Sequence, residues 1–271
     1  MMAGVRDGIP DGATRVYIIV GDPIEQVKSP GGMTRSFAAR GHNAILVPMR
    51  VTPQDLPRFL AGVSLADNLD GIIVTIPHKF ACAAHCTELS SRSMFLGAVN
   101  IMRRTPDGGF FGDMLDGVGF VAAIRAKGGE PKAKRALLIG AGGAGSAIAL
   151  ALIDNGVATL AIHDEDHRRR DALIQRLQLL GKAPVSAGSS DPTGFELVAN
   201  ASPAGMRAGD PYPVDVTKMS PTAFAACVIT QPNPAPWLVA ASKRGCPFSH
   251  GVDMYQAEQS MMLEFLLGQR P

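Results

Sequence analysis

The sequence predicts an α/β protein with two domains, on three observations. Apolar strands alternate with helical segments along most of the chain, a rhythm typical of parallel sheets covered by helices on both faces. The length of 271 residues suits two domains, and 30 glycines with 46% hydrophobic residues suit a globular chain with many tight turns. We predict an α/β domain with a mostly parallel sheet over residues 1–115, completed by a C-terminal helix within 251–271, and a second α/β domain over 116–250.

Strand and helix patterns alternate regularly in the first part of the chain. Pro53 lies where the first turn of the second helix is predicted, a position that tolerates proline. Residues 98–114 change the rhythm and predict two short strands around a Pro-Asp-Gly-Gly turn. The predicted strands are 15–22, 43–51 and 69–76, and the predicted helices are 31–41, 53–66 and 79–91.

A second α/β series follows this hairpin. It begins with a helix and a strand–glycine–helix unit, and it ends in an amphipathic helix. The predicted helices are 115–129 and 251–268, the strand–glycine–helix unit is 134–156, and the further strands are 158–166, 195–203 and 225–232.

The strand–glycine–helix unit carries a candidate dinucleotide site. Gly140, Gly142 and Gly145 form a GxGxxG pattern between an apolar strand and an Ala-rich helix. These glycines permit a tight turn, close approach of the backbone to a pyrophosphate and close helix–strand packing, while the helix N-terminus offers N–H groups to the phosphates. The pattern predicts a Rossmann-type NAD(P)-binding domain; the alternative is a glycine-rich turn without a ligand. The candidate contacts are Gly140, Ala141, Gly142, Gly143, Ala144 and Gly145.

The next strand ends in acidic residues at 163–166, about 20 residues beyond the last glycine. An acidic side chain there accepts hydrogen bonds from the adenosine ribose and repels a 2′-phosphate. We therefore predict Asp164 as the ribose ligand and NAD as the preferred cofactor, with NADP still possible. Of the three arginines at 168–170, we expect only Arg168 to turn back towards this site. The alternative is an exposed charged turn.

Composition and charge limit the classes of binding partner that we expect for this protein. A net charge of +2 argues against nucleic acid or an anionic membrane as a partner. The opening residues show no secretory signal, and no apolar run is long enough to span a membrane. The four cysteines form no CxxC pair and suggest reduced thiols. We predict a cytoplasmic protein, monomeric or homodimeric, whose partner is a small molecule.

Cys82, His85 and Cys86 recur at helical spacing and raise the question of a metal site. A fourth ligand is not evident, whereas structural metal sites use a tetrahedral set. We interpret the three residues as a packed helix face and predict no metal.

Seven segments occur in the order and roughly the spacing found in shikimate dehydrogenases, and the sequence resembles that family from about residue 17 to residue 268. The segments are GDPIEQVKSP, VTIPHK, GAVN, GDMLDGVGF, GAGGAGSA, NASPAGM and GVDMYQAEQ. The resemblance implies two α/β domains and reversible hydride transfer between a nicotinamide cofactor and C3 of shikimate, or a related ring acid such as quinate.

The resemblance also implies a catalytic pair, Lys79 from VTIPHK and Asp116 from GDMLDG. Oxidising a secondary alcohol releases a proton as well as a hydride, and a lysine beside a carboxylate can accept that proton. Which of the two residues is the base stays open, because such a pair can titrate as a unit.

Further site residues follow from the same motifs. The resemblance implies that Ser29, Thr75 and Asn100 bind the substrate, with either Glu258 or Gln259 contributing from the last helix. It implies that Asn200, Ser202 and Met206 line the nicotinamide end of the cofactor, and that Gly251 opens the segment that closes the cleft.

The departures from the family cluster around the substrate. In the carboxylate-binding motif SxSPxxHN, Val27 replaces the first serine, and Met33 and Thr34 replace the His-Asn pair; Thr34 could compensate. Met114 and Leu115 replace an Asn-Thr pair of the family, and Thr230 replaces a tyrosine. We expect intact hydride chemistry with weak use of shikimate, or a related polyhydroxylated ring acid. The alternatives are a dehydrogenase of the methylene-tetrahydrofolate type and a non-catalytic NAD-binding regulatory protein.

Overall fold

The computed structural model describes residues 10–207 and 209–268. The predicted first domain begins at residue 1 and its C-terminal helix reaches residue 271; residues 1–9 and 269–271 lie outside the described residues. The chain forms two compact units. Of the described residues, unit 1 comprises those up to Leu115 and from Gln259 onward, and unit 2 comprises those from Asp116 to Glu258. The second crossing between the units therefore lies within the last helix.

Unit 1 is built on a mixed sheet, with six strands in its described part. The strands are β1 (Arg15–Gly21), β2 (Ala44–Arg50), β3 (Leu69–Val74), β4 (Glu88–Leu89), β5 (Ile101–Arg104) and β6 (Phe110–Asp113), in the spatial order β2-β1-β3-β5-β6-β4. β1 runs parallel to β2 and β3, whereas the predicted hairpin β5–β6 adds antiparallel pairs.

The helices of unit 1 depart from prediction at three places, one of which is a short helix over residues 91–96 that the sequence did not predict. They are α1 (Ser29–Ala39), α2 (Leu56–Val63), α3 (Lys79–Ala83) and α4 (Ser91–Leu96). The helix predicted over 79–91 is wrong in extent, because the chain leaves the helix after Ala83 and the Thr87 amide bonds to Phe110 O at 2.9 Å, which starts the pairing of β4 with β6. In α2, Pro57 occupies the first turn instead of Pro53.

Unit 2 contains a parallel sheet, again with six strands in its described part. The strands are β7 (Arg135–Ile139), β8 (Thr159–His163), β9 (Val185–Ala187), β10 (Leu197–Asn200), β11 (Phe224–Cys227) and β12 (Phe248–Ser249), in the order β12-β11-β10-β7-β8-β9. The helices are α5 (Asp116–Ala126), α6 (Gly143–Asp154), α7 (His167–Gln178), α8 (Pro236–Lys243) and α9 (Gly251–Leu266). The strand order reverses between β7 and β10, and ligands of open α/β sheets bind at such a switch point.

The cores follow from the apolar strands. In unit 1, alternate residues of β1 face two separate clusters: Tyr17 and Ile19 pack with Phe37 of α1, while Ile18 and Val20 pack with Leu60 of α2. Burial on both faces explains why these strands are apolar throughout. Among the described residues, no helix is long and apolar enough to cross a membrane. The four cysteines, all within the described part, are free thiols.

Candidate active site

The glycine loop connects β7 to α6 at the switch point of unit 2. Gly140 has φ +102°, which favours glycine, and its amide bonds to His163 O at 2.8 Å. A Cβ on Gly145 would lie 2.0 Å from Gly140 O, so the helix packs directly on the turn. A Cβ on Gly142 would meet nothing within 4 Å. The loop is thus closed on its inner side and open at the N-terminus of α6, as a dinucleotide pyrophosphate requires.

Asp164 follows β8 and is held by several donors. Its Oδ2 accepts from the Ala141 amide at 2.6 Å, and its Oδ1 accepts from the Asp166 amide at 2.8 Å and from Arg169 at 2.7 Å. Burial opposes ionisation of this side chain, but the hydrogen bonds from Arg169 and the two amides outweigh it, and the pKa of Asp164 is lowered. The arginine that turns back is Arg169, and not Arg168 as we expected.

The loop after β10 is organised by Asn200, which is fully buried. Asn200 Oδ1 accepts from the Ser202 amide at 3.0 Å and from Ser202 Oγ at 2.7 Å, and Nδ2 donates to Ala204 O at 3.2 Å. Met206 follows half-buried against the core of unit 2. Nδ2 also donates to Cys227 Sγ of β11 at 3.6 Å. Because the Asn200 side chain bonds to its own loop and to a neighbouring strand, it would act on a cofactor through the shape of that loop.

Gly251 begins α9 close to the end of β11. A Cβ at this position would lie 2.3 Å from Val228 O and 2.5 Å from Ile229 O. Glycine is therefore needed because the helix starts against backbone, which cannot move aside as a flexible side chain would. This explains the glycine without assigning it a ligand contact.

Lys79 lies just beyond the carboxyl end of β3 in unit 1 and is 9% exposed. It is the first residue of α3, and its carbonyl accepts from the Val99 amide at 2.9 Å. The Thr75 amide bonds to Val20 O of β1 at 3.0 Å. A Cβ on Gly21 would lie 2.4 Å from Thr75 Cγ2, so the glycine that ends β1 makes room for Thr75.

Asn100 precedes β5 and joins the same end of the sheet, since its carbonyl accepts from the Val74 amide at 2.7 Å. The side chain is buried, and Oδ1 accepts from the Leu115 amide at 2.8 Å. Thr75, Lys79 and Asn100 are therefore brought together by neighbouring strands. The Asn100 side chain also fixes the backbone immediately before Asp116.

Sequence reasoning did not find Asp113, which is 3% exposed and precedes the Met114–Asp116 segment. Arg92 donates to both carboxylate oxygens, and Ser90 Oγ and the Met114 amide donate to Oδ1. Burial opposes ionisation, but these donors outweigh it and lower the pKa of Asp113. A buried acid at the end of a predicted strand was the available signal, because such a group needs donors around it.

The segment around the start of α1 is largely apolar. Ser29 is buried at the first position of the helix, and Val27 packs half-buried against the cluster that contains Met33 and Leu115. Thr34 Oγ1 accepts from the Leu46 amide of β2 at 3.0 Å. Two replacements of polar family residues, Met33 and Leu115, thus belong to one hydrophobic cluster.

The two candidates in α9 lie in different surroundings. Glu258 is 6% exposed and packs on Gly119 of α5, where a Cβ would lie 2.1 Å from Glu258 Cγ. Gly119 is one helical turn beyond Asp116, which is the first residue of α5 and is also buried. Gln259 donates from Nε2 to Ser36 Oγ of α1 at 2.9 Å.

The Cys82–Cys86 segment shows ordinary packing. Cys86 Sγ contacts Cys82 O at 3.5 Å, and His85 Nε2 lies 3.3 Å from Ser64 Oγ. Burial raises the pKa of each thiol to about 12. No group of three or more potential metal ligands comes together within residues 10–207 and 209–268.

An open glycine loop at the switch point of a parallel sheet is typical of dinucleotide-binding domains. Together with a buried lysine in a second α/β unit, it indicates the class of two-domain dehydrogenases that use a nicotinamide dinucleotide. Comparison with known proteins identifies the family within this class. Residues 19–102 match the family described as "Shikimate dehydrogenase substrate binding domain". A shikimate dehydrogenase (NADP+) of Rubrobacter xylanophilus is 35% identical over 238 residues, which cover 86% of this chain and 84% of the relative.

Two solved structures are similar over nearly the whole chain. A shikimate dehydrogenase in complex with NADP+ has a TM-score of 0.88 at 26% identity, with 97% of this chain and 93% of the other covered. The quinate dehydrogenase of Corynebacterium glutamicum in complex with NAD has a TM-score of 0.85 at 24% identity, with 95% of each chain covered, and shows the same fold. The chain belongs to the shikimate dehydrogenase family. It is an NAD(P)-dependent enzyme of the shikimate dehydrogenase type, which decides against the two alternative classes considered from the sequence.

Proposed function

We propose that the enzyme transfers a hydride reversibly between NAD and the C3 hydroxyl of a polyhydroxylated ring acid, shikimate itself being used weakly and quinate being a related candidate. The observation that carries the proposal is the burial and position of Lys79. It is buried beside the carboxyl ends of β1 and β3, the end at which α/β sheets bind their ligands, and it stands in the VTIPHK motif of the family.

Lys79 and Asp116 are the proposed catalytic pair. The glycine loop from Gly140 to Gly145 would hold the dinucleotide, whose nicotinamide would supply the acceptor for the hydride of the carbinol carbon. The chain must then take the hydroxyl proton and hold the alcohol, and Lys79 with Asp116 supplies an amine and a carboxylate for these tasks. Thr75 and Asn100 are the proposed ligands of the ring hydroxyls, and Ser29 is the proposed ligand of the substrate carboxylate. From α9, either Glu258 or Gln259 is the proposed further ligand of the substrate.

Weak use of shikimate follows from the apolar segment at α1. A hydrogen bond to a charged group contributes roughly 1.5–3 kcal/mol, or about 10- to 150-fold in affinity. Val27 offers no such bond. Thr34 Oγ1 already accepts from the Leu46 amide, so its compensation is limited to donating its one hydroxyl hydrogen. Ser29 keeps its hydroxyl, and a carboxylate would therefore be bound by fewer groups than in family members with the full motif.

A preference for NAD rests on the acidic run after β8. Asp164, Glu165 and Asp166 would face a 2′-phosphate with negative charge. Arg169 neutralises Asp164 in part, and we therefore propose preference for NAD without exclusion of NADP. This would set the enzyme apart from its Rubrobacter relative, which is named for NADP+.

Steady-state assays of shikimate and quinate, each with NAD and with NADP, test the proposal. We expect turnover with a kcat/KM for NAD at least about tenfold above that for NADP, since one charged contact contributes on that scale. Absence of turnover with both ring acids would overturn the proposed reaction. Activity with NADP alone would overturn only the cofactor preference.

A further inference from the structure

The residue before Lys79 turns its side chain into unit 1. His78 is 1% exposed, whereas Ile76 and Phe80 on either side of the turn are 45% and 41% exposed. His78 Nε2 lies 2.8 Å from the carbonyl oxygen of Val51. A carbonyl oxygen only accepts, so Nε2 carries a hydrogen and donates it. The imidazole is thus a buried, directional link from the Lys79 turn to another part of the sheet.

The carbonyl of Val51 is held in place because Val51 continues the hydrogen bonding of the sheet. It follows β2 directly, and its amide bonds to Gly21 O at the end of β1 at 3.1 Å. In the order β2-β1-β3, β1 separates the two strands that the imidazole joins. His78 therefore ties the turn after β3 to the end of a strand that is not adjacent to it.

Backbone hydrogen bonds also hold this turn. The Thr75 amide bonds to Val20 O at 3.0 Å, the His78 amide bonds to Thr75 O at 3.0 Å and the Val99 amide bonds to Lys79 O at 2.9 Å. The side chains of Ile76 and Phe80 are too exposed to anchor the segment by burial. His78 supplies a buried side-chain anchor next to Lys79, immediately before a helix of five residues that has no side-chain cap.

We propose that His78 is a positioning residue that fixes the Lys79 side chain for proton transfer. This inference rests on the proposed function of Lys79. Proton transfer needs the base within hydrogen-bond reach of the hydroxyl, and a displacement of about 1 Å can cost roughly 100-fold in rate. Removing the link to Val51 frees the turn to move while the glycine loop of unit 2 keeps its own geometry.

The test compares His78→Met, which keeps an apolar side chain of similar length without a donor, with His78→Gln, whose amide can donate to Val51 O. The control is His85→Met, at a half-buried histidine of unit 1 that also has a hydrogen-bond partner, Ser64. For each folded variant, kcat and KM are measured with the preferred ring acid, and NADH binding is measured by fluorescence.

We expect His78→Met to lower kcat about 10- to 100-fold with NADH binding unchanged, His78→Gln to restore kcat to within about threefold, and His85→Met to match the wild type. Unchanged kcat in folded His78→Met, or a loss that His78→Gln does not restore, overturns the inference. Should His78→Met not fold, His78→Asn replaces it, because this amide is one methylene shorter and cannot reach Val51; equal kcat in the Asn and Gln variants then overturns the inference. A wild type without turnover overturns the proposed function, and the role of His78 with it.

Discussion

Two strand-to-helix turns show what has been retained in this chain and what has changed. In unit 2, β7 leads into α6 through a loop whose glycines leave the helix N-terminus open. In unit 1, β1 leads into α1 through a loop whose last residues are Val27 and Lys28, and a proline stands in the first turn of the helix. Both turns lie at carboxyl ends of parallel strands, where ligands bind.

The difference concerns polarity. The loop of unit 2 offers backbone N–H groups, which any nucleotide pyrophosphate can use. The loop of unit 1 would depend on side chains to recognise the proposed ring acid, and here Val27 and Met33 pack in the hydrophobic cluster. A backbone site is insensitive to substitution except at its glycines, whereas a side-chain site changes its ligand with each residue. The comparison supports the proposal that this enzyme diverges from its family in substrate binding rather than in cofactor binding.

The largest effect is expected from Lys79→Met, which tests whether proton transfer belongs to unit 1. General acid–base catalysis contributes about 10²- to 10⁴-fold, so kcat should fall within that range. NADH binding should stay within about twofold, because the glycine loop lies in unit 2. Stopped-flow or steady-state kinetics with parallel fluorescence titration measures both.

The control is Lys182→Met, which removes a surface lysine paired with Asp154 and half exposed. It should keep wild-type kinetics. Retained turnover in Lys79→Met would contradict the assignment of Lys79, and lost NADH binding would contradict the separation of roles between the two turns.

Val27→Ser is a gain-of-function test of the changed loop. Restoring a hydroxyl for the substrate carboxylate should raise kcat/KM for shikimate about 10- to 150-fold, the equivalent of roughly 1.5–3 kcal/mol. Val47→Ser, at a half-buried valine of β2, should give no gain. If both variants behave like the wild type, Val27 does not limit the binding of ring acids.

A pair of glycine variants separates packing from ligand approach in unit 2. Gly145→Ala places a Cβ against Gly140 O and should destabilise the fold by about 1–3 kcal/mol, as overpacking usually does. Gly142→Ala meets open space and should keep the melting temperature while weakening NADH binding. Thermal unfolding and fluorescence titration distinguish the two effects. Equal melting temperatures for both variants would contradict the packing role of Gly145.

Sequence patterns predicted much of the fold because long apolar strands and glycine turns are local signals. Short strands such as β4, with Glu88–Leu89, have too few residues to show a period. The helix predicted over 79–91 fails for a related reason: the spacing of Cys82 and Cys86 is helical, but pairing with the distant β6 ends the helix early. Long-range pairing overrides local propensity there.

The order of motifs proposed candidate site residues that follow apolar strands, and their roles stay predictions. The contacts of these residues could not be read from the motifs. Which arginine meets Asp164 depends on the start of α7: Asp166 caps the helix and accepts from the Arg169 amide at 3.1 Å, which turns Arg169 back towards the strand. The cap spacing was a usable signal. The bonds of Arg92 to Asp113 join separate elements and had no such local signal.

The smallest effect is expected at Asp113, which holds the backbone before the proposed catalytic Asp116. The folded-state pKa of Asp113 is lowered from 3.8 because the donors around it outweigh the effect of burial. A lowered folded pKa means that the carboxylate stabilises the fold above about pH 4 and that this stabilisation is lost as the pH falls through the folded pKa. Asp113→Asn removes the charge yet keeps one acceptor, and Arg92 is one-third exposed to water, so the loss at pH 7 should be about 1 kcal/mol. Urea unfolding from pH 7 down to pH 3 should show the difference between wild type and variant shrinking below pH 4. A constant difference across that range would mean that the Asp113 charge does not contribute, and that the segment before Asp116 is held by the side chain of Asn100 instead.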